Sequence, residues 1–247
     1  MNKRIFDFTG QDIESATRHD VLTAIEASEG RTMMVETIST SIPAVDVVSN
    51  AELAACFGAD MITLNLLDLH APTVSISFHN KAATLSINEV RQYTGRLLGC
   101  NLEPIPDDVK SINSGCALSK ETIQKAIDLG LDYIMLTGNP GMKVTQQTIL
   151  EGIKLVRNIS DEIIIIAGKM HGAGVGNDYN LDIIPSFAQA GADIVMFPAP
   201  YTTPGVTPEL ATEMMKEVHK VGLLGMLAIG TSQEGSSETY IEKVAME

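Results

Sequence analysis

Short apolar runs alternate with helix-like segments seven times along this chain of 247 residues, and a polar, glycine-rich or proline-containing segment follows each run. The runs are Met33–Val35, Met61–Leu64, Leu97–Leu102, Tyr133–Leu136, Ile163–Ala167, Ile194–Phe197 and Leu223–Ile229. Strands that alternate with helices are joined by right-handed crossovers and form a parallel sheet. The carboxyl ends of such strands face one crevice, where α/β proteins place their binding and catalytic residues. The pattern therefore predicts a site built from the residues that follow the strands.

The runs are typical of strands that are buried on both faces, since Ile163–Ala167 is apolar throughout instead of alternating with polar residues. One run and the helix that follows it take roughly thirty residues, the size of a βα unit. Three similar helix exits, each a glycine followed two residues later by an aspartate, precede strands at Gly58–Asp60, Gly130–Asp132 and Gly191–Asp193. We therefore predict a (β/α)8 TIM barrel that forms a single domain over residues 1–247, with a short N-terminal cap over residues 1–30.

Seven runs are one fewer than a closed eight-stranded barrel needs. Continuing the spacing places the end of an eighth strand at roughly residue 258, beyond Glu247. The favoured expectation is therefore a barrel that lacks its last strand in this chain. The alternative is that Arg4–Phe8 forms an additional first strand, although only three of its five residues are apolar. Two long segments, residues 68–84 and 104–118, are predicted to be loops on the catalytic face.

The charge of the chain restricts its partners. It has 31 acidic and 17 basic residues and a formal charge of −14, which argues against nucleic-acid binding. No apolar run approaches the ~18 residues of a membrane span, and the first residues lack the apolar region of a signal peptide. Three unclustered cysteines fit a reducing compartment. We therefore expect a cytoplasmic protein that binds a small molecule; the oligomeric state is open, with a homo-oligomer as one alternative.

The segment after the fifth run contains the densest group of reactive side chains. Lys169 follows the apolar strand directly, where burial favours the neutral amine that condenses with carbonyl compounds. Lys169 is therefore a candidate Schiff-base former or general base, and His171 is a candidate proton donor. Glycines next to both residues let the backbone approach a ligand closely. The alternative is that Lys169 is an ordinary solvated lysine at the end of a strand.

Carboxylate and amide side chains follow the first three runs. Glu36, Asp68 and Glu103 are candidate ligands of a divalent cation such as Mg²⁺, because carboxylates at neighbouring strand ends supply the oxygen atoms that this ion prefers. Alternatively, Glu36 or Glu103 serves as a catalytic base or orients the substrate. Asn65 is a candidate hydrogen-bond donor to an enolate or carbonyl oxygen. The competing interpretation is that these acids cap turns.

Two glycine-containing loops lead into helices and are candidate phosphate sites. The first includes Gly138 and Asn139, and the second includes Gly230, Thr231 and Ser232. Backbone N–H groups at the start of a helix favour anions, and barrels often bind phosphate through the loops after their last two strands. The alternative for the second loop is a turn followed by a helix cap.

Several longer motifs carry a resemblance to a known family. They are Ser-Asn-Ala-Glu-Leu-Ala at 49–54, Leu-Gly-Cys-Asn-Leu-Glu-Pro at 98–104, Leu-Thr-Gly-Asn-Pro-Gly at 136–141, Ala-Gly-Lys-Met-His-Gly-Ala-Gly at 167–174 and Ala-Ile-Gly-Thr-Ser-Gln-Glu-Gly at 228–235. Through them the chain resembles an uncharacterised bacterial family of barrel proteins that are often encoded near sugar phosphotransferase-system genes. The resemblance implies a (β/α)8 barrel and a setting of sugar-phosphate metabolism. More distantly, the first of these motifs and its flanking strands are similar to the opening of phosphoenolpyruvate-mutase and isocitrate-lyase barrels.

Members of the resembling family often carry the label haloacid-dehalogenase-like hydrolase. The segment Phe6–Gly10 faintly resembles the phosphate-transfer loop of those hydrolases, with Asp7 as the nucleophile. That loop needs a second aspartate two residues later for the acid–base step, and Thr9 occupies the position. The sequence therefore argues against this mechanism.

The preferred hypothesis is a lyase or isomerase that acts on a small phosphorylated sugar or keto acid. Lys169 is the Schiff-base former or base and His171 the proton donor, while Glu36, Asn65 and Glu103 orient the substrate or hold Mg²⁺. One alternative is a metal-dependent hydrolase of a phosphorylated metabolite, in which the carboxylates and His171 activate water. Another is a non-catalytic sensor that binds a sugar phosphate without converting it.

Overall fold

The computed structural model describes residues 3–106, 108–109, 113–139, 141–169, 180–230, 233 and 235–246. The chain divides into two compact units. The first contains residues 1–102, 110–135 and 158–164, and the second contains residues 103–109, 136–157 and 165–247.

The first unit alternates strands with helices. In chain order its elements are a 3₁₀ turn at Ile5–Asp7, α1 (Gly10–Ser15), α2 (Arg18–Ala27), β1 (Met34–Ile38), α3 (Asn50–Cys56), β2 (Met61–Asn65), β3 (Thr73–Phe78), β4 (Lys81–Ser86), α4 (Ile87–Thr94), β5 (Leu97–Leu102), a 3₁₀ turn at Ser114–Cys116, α5 (Lys120–Asp128) and β6 (Tyr133–Leu136), which ends at the boundary of the unit. The turn at Ile5–Asp7 shows that the alternative of an eighth strand at Arg4–Phe8 is wrong. The Ile5 N–H donates to Ser28 Oγ at 3.0 Å and not to a strand.

Strands β1, β2 and β5 pair in parallel with matched registers. Met34 lies opposite Met61, and Met61 lies opposite Leu97. All residues of β2 and β5 are buried, as their apolar composition predicts, whereas β1 is partly exposed. The greater exposure of β1 follows from its position, since it stands first in the strand order and β2 is its one partner among the described strands.

The segment predicted as a loop at 68–84 contains an antiparallel hairpin. Strands β3 and β4 pair along their whole length, with Phe78 opposite Lys81. The two residues between them, His79 and Asn80, have φ angles of +50° and +62°. Positive φ at both central residues is the geometry of the two-residue turns that match the twist of a hairpin. The carboxylate of Asp46 accepts hydrogen bonds from both turn amides, at 3.0 and 3.3 Å, and from Ser77 Oγ.

The second unit continues the alternation. Its elements are α6 (Gln146–Arg157), β7 (Ile164–Gly168), a 3₁₀ turn at Leu181–Ile183, α7 (Ile184–Ala190), β8 (Ile194–Pro198), α8 (Pro208–Lys220), β9 (Leu224–Ala228) and α9 (Glu238–Met246); Ile164 itself belongs to the first unit. Strands β7, β8 and β9 pair in parallel, with Ile166 opposite Ile194 and Ile194 opposite Leu224.

The repeated Gly–x–Asp junction has the same structure in each copy. In every case the aspartate carboxylate accepts a backbone N–H at or next to the start of the preceding strand of the sheet. Asp60 accepts from Met33 at 2.8 Å, Asp132 from Leu98 at 2.7 Å and Asp193 from Ile165 at 2.8 Å. The repeat therefore joins each new strand to its neighbour, which explains why three near-copies occur in one chain.

These strands confirm the predicted fold class, a (β/α)8-type fold that shows seven parallel strands in the described part of the chain. The strand order is β1-β2-β5-β6-β7-β8-β9, so the strands follow one another in chain order once the inserted hairpin is left out. The single domain over residues 1–247 and its N-terminal cap stay predictions. Every helix in the described part of the chain is too short or too polar to cross a membrane.

Candidate active site

The carboxylate of Glu36 is held by two amide side chains in the first unit. Asn65 Nδ2 donates to Glu36 Oε1 and Asn101 Nδ2 donates to Glu36 Oε2, both at 2.9 Å. The strand registers explain the contact. Glu36 lies opposite Thr63, and Thr63 lies opposite Gly99, so Asn65 and Asn101 come two residues further along the same face of the sheet. The structure thus brings together two of the predicted residues, Glu36 and Asn65, and adds Asn101.

Burial gives this carboxylate its chemical character. Asn65 and Asn101 are 8% and 4% exposed, and Glu36 is partly buried. Burial raises the pKa of Glu36, while the hydrogen bonds from Asn101 and Asn65 act in the opposite direction. A carboxylate whose pKa moves toward neutrality is a better proton acceptor near pH 7 than an ordinary glutamate. The cluster is therefore suited to moving a proton.

A buried tyrosine belongs to the same face of the sheet as Glu36. Tyr133 has no exposed surface, and its hydroxyl lies 2.8 Å from Thr63 Oγ1. Its ring lies directly against Gly99, where a Cβ atom would come within 2.2 Å of the ring. Burial raises the pKa of Tyr133 well above 10, so this phenol stays neutral beside Glu36. Gly99 therefore makes room for the aromatic ring.

Asn101, Gly99 and Tyr133 contact or support the Glu36 cluster, and the sequence pattern alone does not single them out. All three lie inside apolar runs that are interpreted as strand core. One feature of the sequence could have indicated Asn101. It is the polar residue in the otherwise apolar run Leu97–Leu102, and an asparagine within a fully buried strand needs hydrogen-bond partners. Pairing that asparagine with Glu36 requires the strand register, which the sequence does not contain.

Asp68 forms a hydrogen bond within its own loop. Its Oδ1 atom accepts the His70 N–H at 2.8 Å, and the same oxygen lies so close to Gly115 that a Cβ there would come within 1.9 Å. Asp68 thus serves as a turn acid, the competing interpretation from the sequence. Across the described residues, no three His, Cys, Asp or Glu side chains form a group that could hold a metal ion. The Mg²⁺ site of Glu36, Asp68 and Glu103 stays a prediction, and the described donor set does not fit it.

In the second unit, Glu103 binds a residue of the first predicted phosphate loop. Glu103 is buried, and its Oε1 atom accepts the backbone N–H of Asn139. Gly138 packs tightly on Val144, where a Cβ would approach the valine side chain to 2.5 Å. The Asn139 amide proposed for phosphate is therefore already bound to a carboxylate.

The second predicted phosphate loop is only partly described. The Gly230 N–H donates to Gln233 Oε1 at 3.0 Å, and Gln233 Nε2 donates to the Thr202 carbonyl at 2.8 Å. Thr231 and Ser232 lie outside the described residues. The described part of this loop is a closed turn, and its phosphate role stays a prediction.

Lys169 is buried in the second unit, at 8% exposure. Its Nζ atom lies 3.4 Å from the Val144 carbonyl. The register pairs Ala167 with Val195, so alternation places Lys169 on the strand face that carries Val195 and Phe197. A small cavity there is lined by Gln146, Ile149, Gly168, Lys169, Ile183, Phe187, Val195, Met196 and Phe197. Lys169 therefore lies beside residues of α6 and α7, and the predicted partner His171 lies outside the described residues.

Gly168 fixes how the chain reaches Lys169. Its φ angle is +151°, and a Cβ atom would come within 2.0 Å of the Met196 carbonyl oxygen. Only glycine allows the backbone to pass β8 at this distance. The glycine before the lysine thus has a packing function, apart from any contact with a ligand.

Comparison with known proteins identifies the family. Its sequence model, described as a domain of unknown function, matches residues 6–247. The chain belongs to the DUF7916 family. No curated protein matches the chain. The predicted association with sugar phosphotransferase-system genes and the haloacid-dehalogenase label therefore rest on the sequence resemblance alone.

Solved structures resemble this DUF7916 member in fold. 2,3-Dimethylmalate lyase, a member of the PEP mutase/isocitrate lyase superfamily, matches with a TM-score of 0.50 and 13% identity over 92% of this chain and 86% of its own. A candidate lyase/mutase from Burkholderia cenocepacia J2315 has a TM-score of 0.49 and 12% identity, over 85% and 81% of the two chains. A candidate phosphonomutase from the same organism has a TM-score of 0.48 and 14% identity, over 88% and 95%. The likeness to 2,3-dimethylmalate lyase shows the fold. It confirms, for the fold alone, the predicted similarity to phosphoenolpyruvate-mutase and isocitrate-lyase barrels.

Proposed function

We propose that this DUF7916 protein is an enzyme of the lyase or isomerase type that acts on a small keto acid or phosphorylated sugar, with Glu36 moving the proton. The observation that carries the proposal is the Glu36 carboxylate, which is partly buried within strand β1 and held at both oxygens by amide donors. The fold shared with 2,3-dimethylmalate lyase is compatible with this chemistry. The proposal itself rests on Glu36.

The chemistry follows from the carboxylate and its surroundings. In an isomerase, Glu36 takes the proton from the carbon next to a carbonyl and returns it to a neighbouring carbon. In a lyase, it takes the proton of a hydroxyl group while the adjacent C–C bond breaks, which leaves a new carbonyl and an enolate that is then protonated. Asn65 and Asn101 hold the carboxylate in one direction, so it is aligned for the transfer before the substrate reacts.

The substrate class within this proposal is narrowed by two backbone amides. The Asn139 and Gly230 N–H groups, both predicted to bind phosphate, donate to Glu103 and Gln233 instead. This favours a keto acid over a phosphorylated sugar. No step is assigned to Mg²⁺, because no three His, Cys, Asp or Glu side chains of the described residues form a group that could hold a metal ion. Hydrolysis of a phosphorylated metabolite gains no support from the described residues.

Substitution of Glu36 tests the proposal. Purified protein is incubated in D₂O with a panel of keto acids, hydroxy acids and sugar phosphates, and NMR detects deuterium incorporation, cleavage or isomerisation. We expect one class to react, and Glu36→Gln to slow the reaction by about 10²–10⁴-fold, the usual contribution of a general base. Glu26→Gln, which changes an exposed acid on α2, serves as the matched control and keeps full activity.

Two outcomes would contradict the proposal. If Glu36→Gln reacts as fast as the wild type, another group moves the proton. If no compound reacts while one of them raises the Tm of the wild type, the protein is a sensor, because a ligand stabilises the fold whether or not it is converted.

A further inference from the structure

The two amides that bind Glu36 are held in different ways. Asn65 is fixed at both ends, since Nδ2 donates to Glu36 and Oδ1 accepts the Leu66 N–H at 2.8 Å. Turning this amide over would break both hydrogen bonds. Asn65 is therefore a donor of fixed direction.

Asn101 is fixed at one end only. Its Nδ2 atom donates to Glu36 Oε2, but its Oδ1 atom is buried and has no hydrogen-bond partner among the described residues. A buried acceptor without a partner destabilises the fold, and native proteins keep few of them. Within the described residues, the negative charge on Glu36 is what holds Nδ2, rather than Oδ1, toward the carboxylate.

Protonation of Glu36 reverses this preference. A carboxylic acid carries an O–H that needs an acceptor, and the Nδ2 groups of both amides are donors. A half-turn of Asn101 about its Cβ–Cγ bond brings Oδ1 to the acid without moving the backbone, because this torsion is broad and roughly two-fold. After the turn the Glu36 O–H donates to Oδ1, and Nδ2 occupies the former position of the oxygen.

We propose that Asn101 is a positioning residue whose amide turns over each time Glu36 gains or loses a proton. It donates to the carboxylate and accepts from the acid, so both forms of Glu36 keep the same direction. No covalent bond changes except the one to the transferred proton. The catalytic use of this device rests on the proposed function, whereas the turnover itself needs no substrate.

Among the described residues, the side chains that bind the Glu36 carboxylate are Asn65 and Asn101. On β6, Tyr133 faces it and stays neutral, with its hydroxyl bonded to Thr63. Helix α3 packs against β1, and its acid Glu52 is bound to the N–H and hydroxyl of Ser49. No described charged group contributes to the titration of Glu36.

A matched pair of variants tests the proposal without any substrate. The proton affinity of Glu36 is measured by ¹³C NMR of its carboxyl carbon in the wild type, Asn65→Leu and Asn101→Leu. Removing the fixed donor in Asn65→Leu destabilises the charged form more than the acid, because a hydrogen bond to a charged acceptor is stronger, so we expect the proton affinity of Glu36 to rise about tenfold. Removing Asn101 destabilises both forms of Glu36 to a similar extent, so we expect its proton affinity to change about threefold or less. Distance alone would predict equal effects, since both amide nitrogens lie 2.9 Å from the carboxylate. An equal rise in the two variants would overturn the proposal.

The wild-type protein supplies a second test that does not depend on the folding of either variant. The side-chain ¹⁵NH₂ signals are followed through the titration of Glu36. We expect the Asn101 signals to lose their hydrogen-bonded shift as Glu36 is protonated, whereas those of Asn65 keep most of theirs. An Asn101 group that stays hydrogen-bonded to Glu36 throughout would show a fixed amide. Because both readouts concern Glu36 alone, failure of the proposed enzyme activity leaves them unaffected.

Discussion

Glu36 lies in the middle of β1 and Lys169 directly follows β7, and their side chains meet different surroundings. Glu36 shares a strand face with Asn65 and Asn101, whose amides bind its carboxylate. Lys169 alternates onto the face that carries Val195 and Phe197, and its Nζ atom lies near the Val144 carbonyl. Side chains at neighbouring positions of a strand point to opposite faces of the sheet. The position of a residue within its strand therefore decides which side chains surround it.

The position of Lys169 leads to a prediction about Schiff-base chemistry. Because Lys169 is buried, at 8% exposure, and lines the small cavity beside α6 and α7, we expect its amine to be inaccessible. No stoichiometric adduct should then form when the protein is incubated with pyruvate or dihydroxyacetone phosphate and reduced with borohydride. Intact-mass spectrometry detects the adduct. Lys169→Met, which keeps most of the side-chain volume, is the matched control. An adduct that forms in the wild type and disappears in this variant would support the Schiff-base role predicted from the sequence.

Among the elements, the β3–β4 hairpin is the main addition to the repeated strand–helix pattern. Asp46 binds the hairpin tip through three donors, Ser77 Oγ and the two turn amides. These bonds, led by the one from Ser77, lower the pKa of Asp46. The Ser75 N–H also donates to the Ser39 carbonyl at 2.7 Å, just after β1. The hairpin is thus joined to the segment that follows the Glu36 strand.

Removing the Asp46 carboxylate should loosen the tip without unfolding the protein. In Asp46→Ala we expect faster hydrogen exchange at the His79 and Asn80 amides, which lose their acceptor, and a fall in Tm of no more than about 4 °C. NMR-detected exchange measures the first effect and a thermal scan the second. Glu26→Ala, on an exposed helix surface, is the control. Unchanged exchange at both amides would mean that the turn alone holds the tip.

At the scale of the whole molecule, two sets of described carboxyl groups have shifted pKa values with opposite effects on stability. Burial raises the pKa of Glu36, Asp60 and Asp132. Hydrogen bonds from helix-capping hydroxyls lower the pKa of Asp20 and Glu89. The first set contributes stability below the ordinary values of 4.5 for Glu and 3.8 for Asp, and this is lost as the pH rises through the raised values. The second set contributes stability above those ordinary values, and this is lost as the pH falls.

We therefore expect the Tm to be highest at mildly acidic pH and to fall on both sides. The net charge of −14 adds to the fall at higher pH through self-repulsion. Thermal scans from pH 3 to pH 8 measure the curve. Glu36→Gln should flatten its upper side, whereas Glu26→Gln should leave the shape unchanged. A Tm that continues to rise between pH 5 and pH 8 would contradict this account.

Sequence reasoning succeeds where the signal is local. The apolar runs and the Gly–x–Asp junctions predict the strands and their joints because each depends on residues close together in the chain. The hairpin at 68–84 is missed because β4 carries lysine, alanine and threonine and is almost entirely exposed, so it lacks the apolar run that marks the barrel strands. The phosphate loops are glycine-rich as predicted, yet Asn139 and Gly230 donate their N–H groups within the protein.

The sequence by itself determined the strand–helix alternation, the fold class and the presence of Asn65 at the end of β2. Glu36, predicted to follow a strand, lies inside β1. The tertiary structure alone decided that Asn101 binds Glu36, that Asp68 and Glu103 accept backbone N–H groups, and that Lys169 lies beside helix residues. The physical reason is distance along the chain. Glu36 and Asn101 are 65 residues apart, and their contact depends on the registers that align β1, β2 and β5. Those registers arise from packing the whole sheet, whereas strand and helix patterns arise from neighbouring residues.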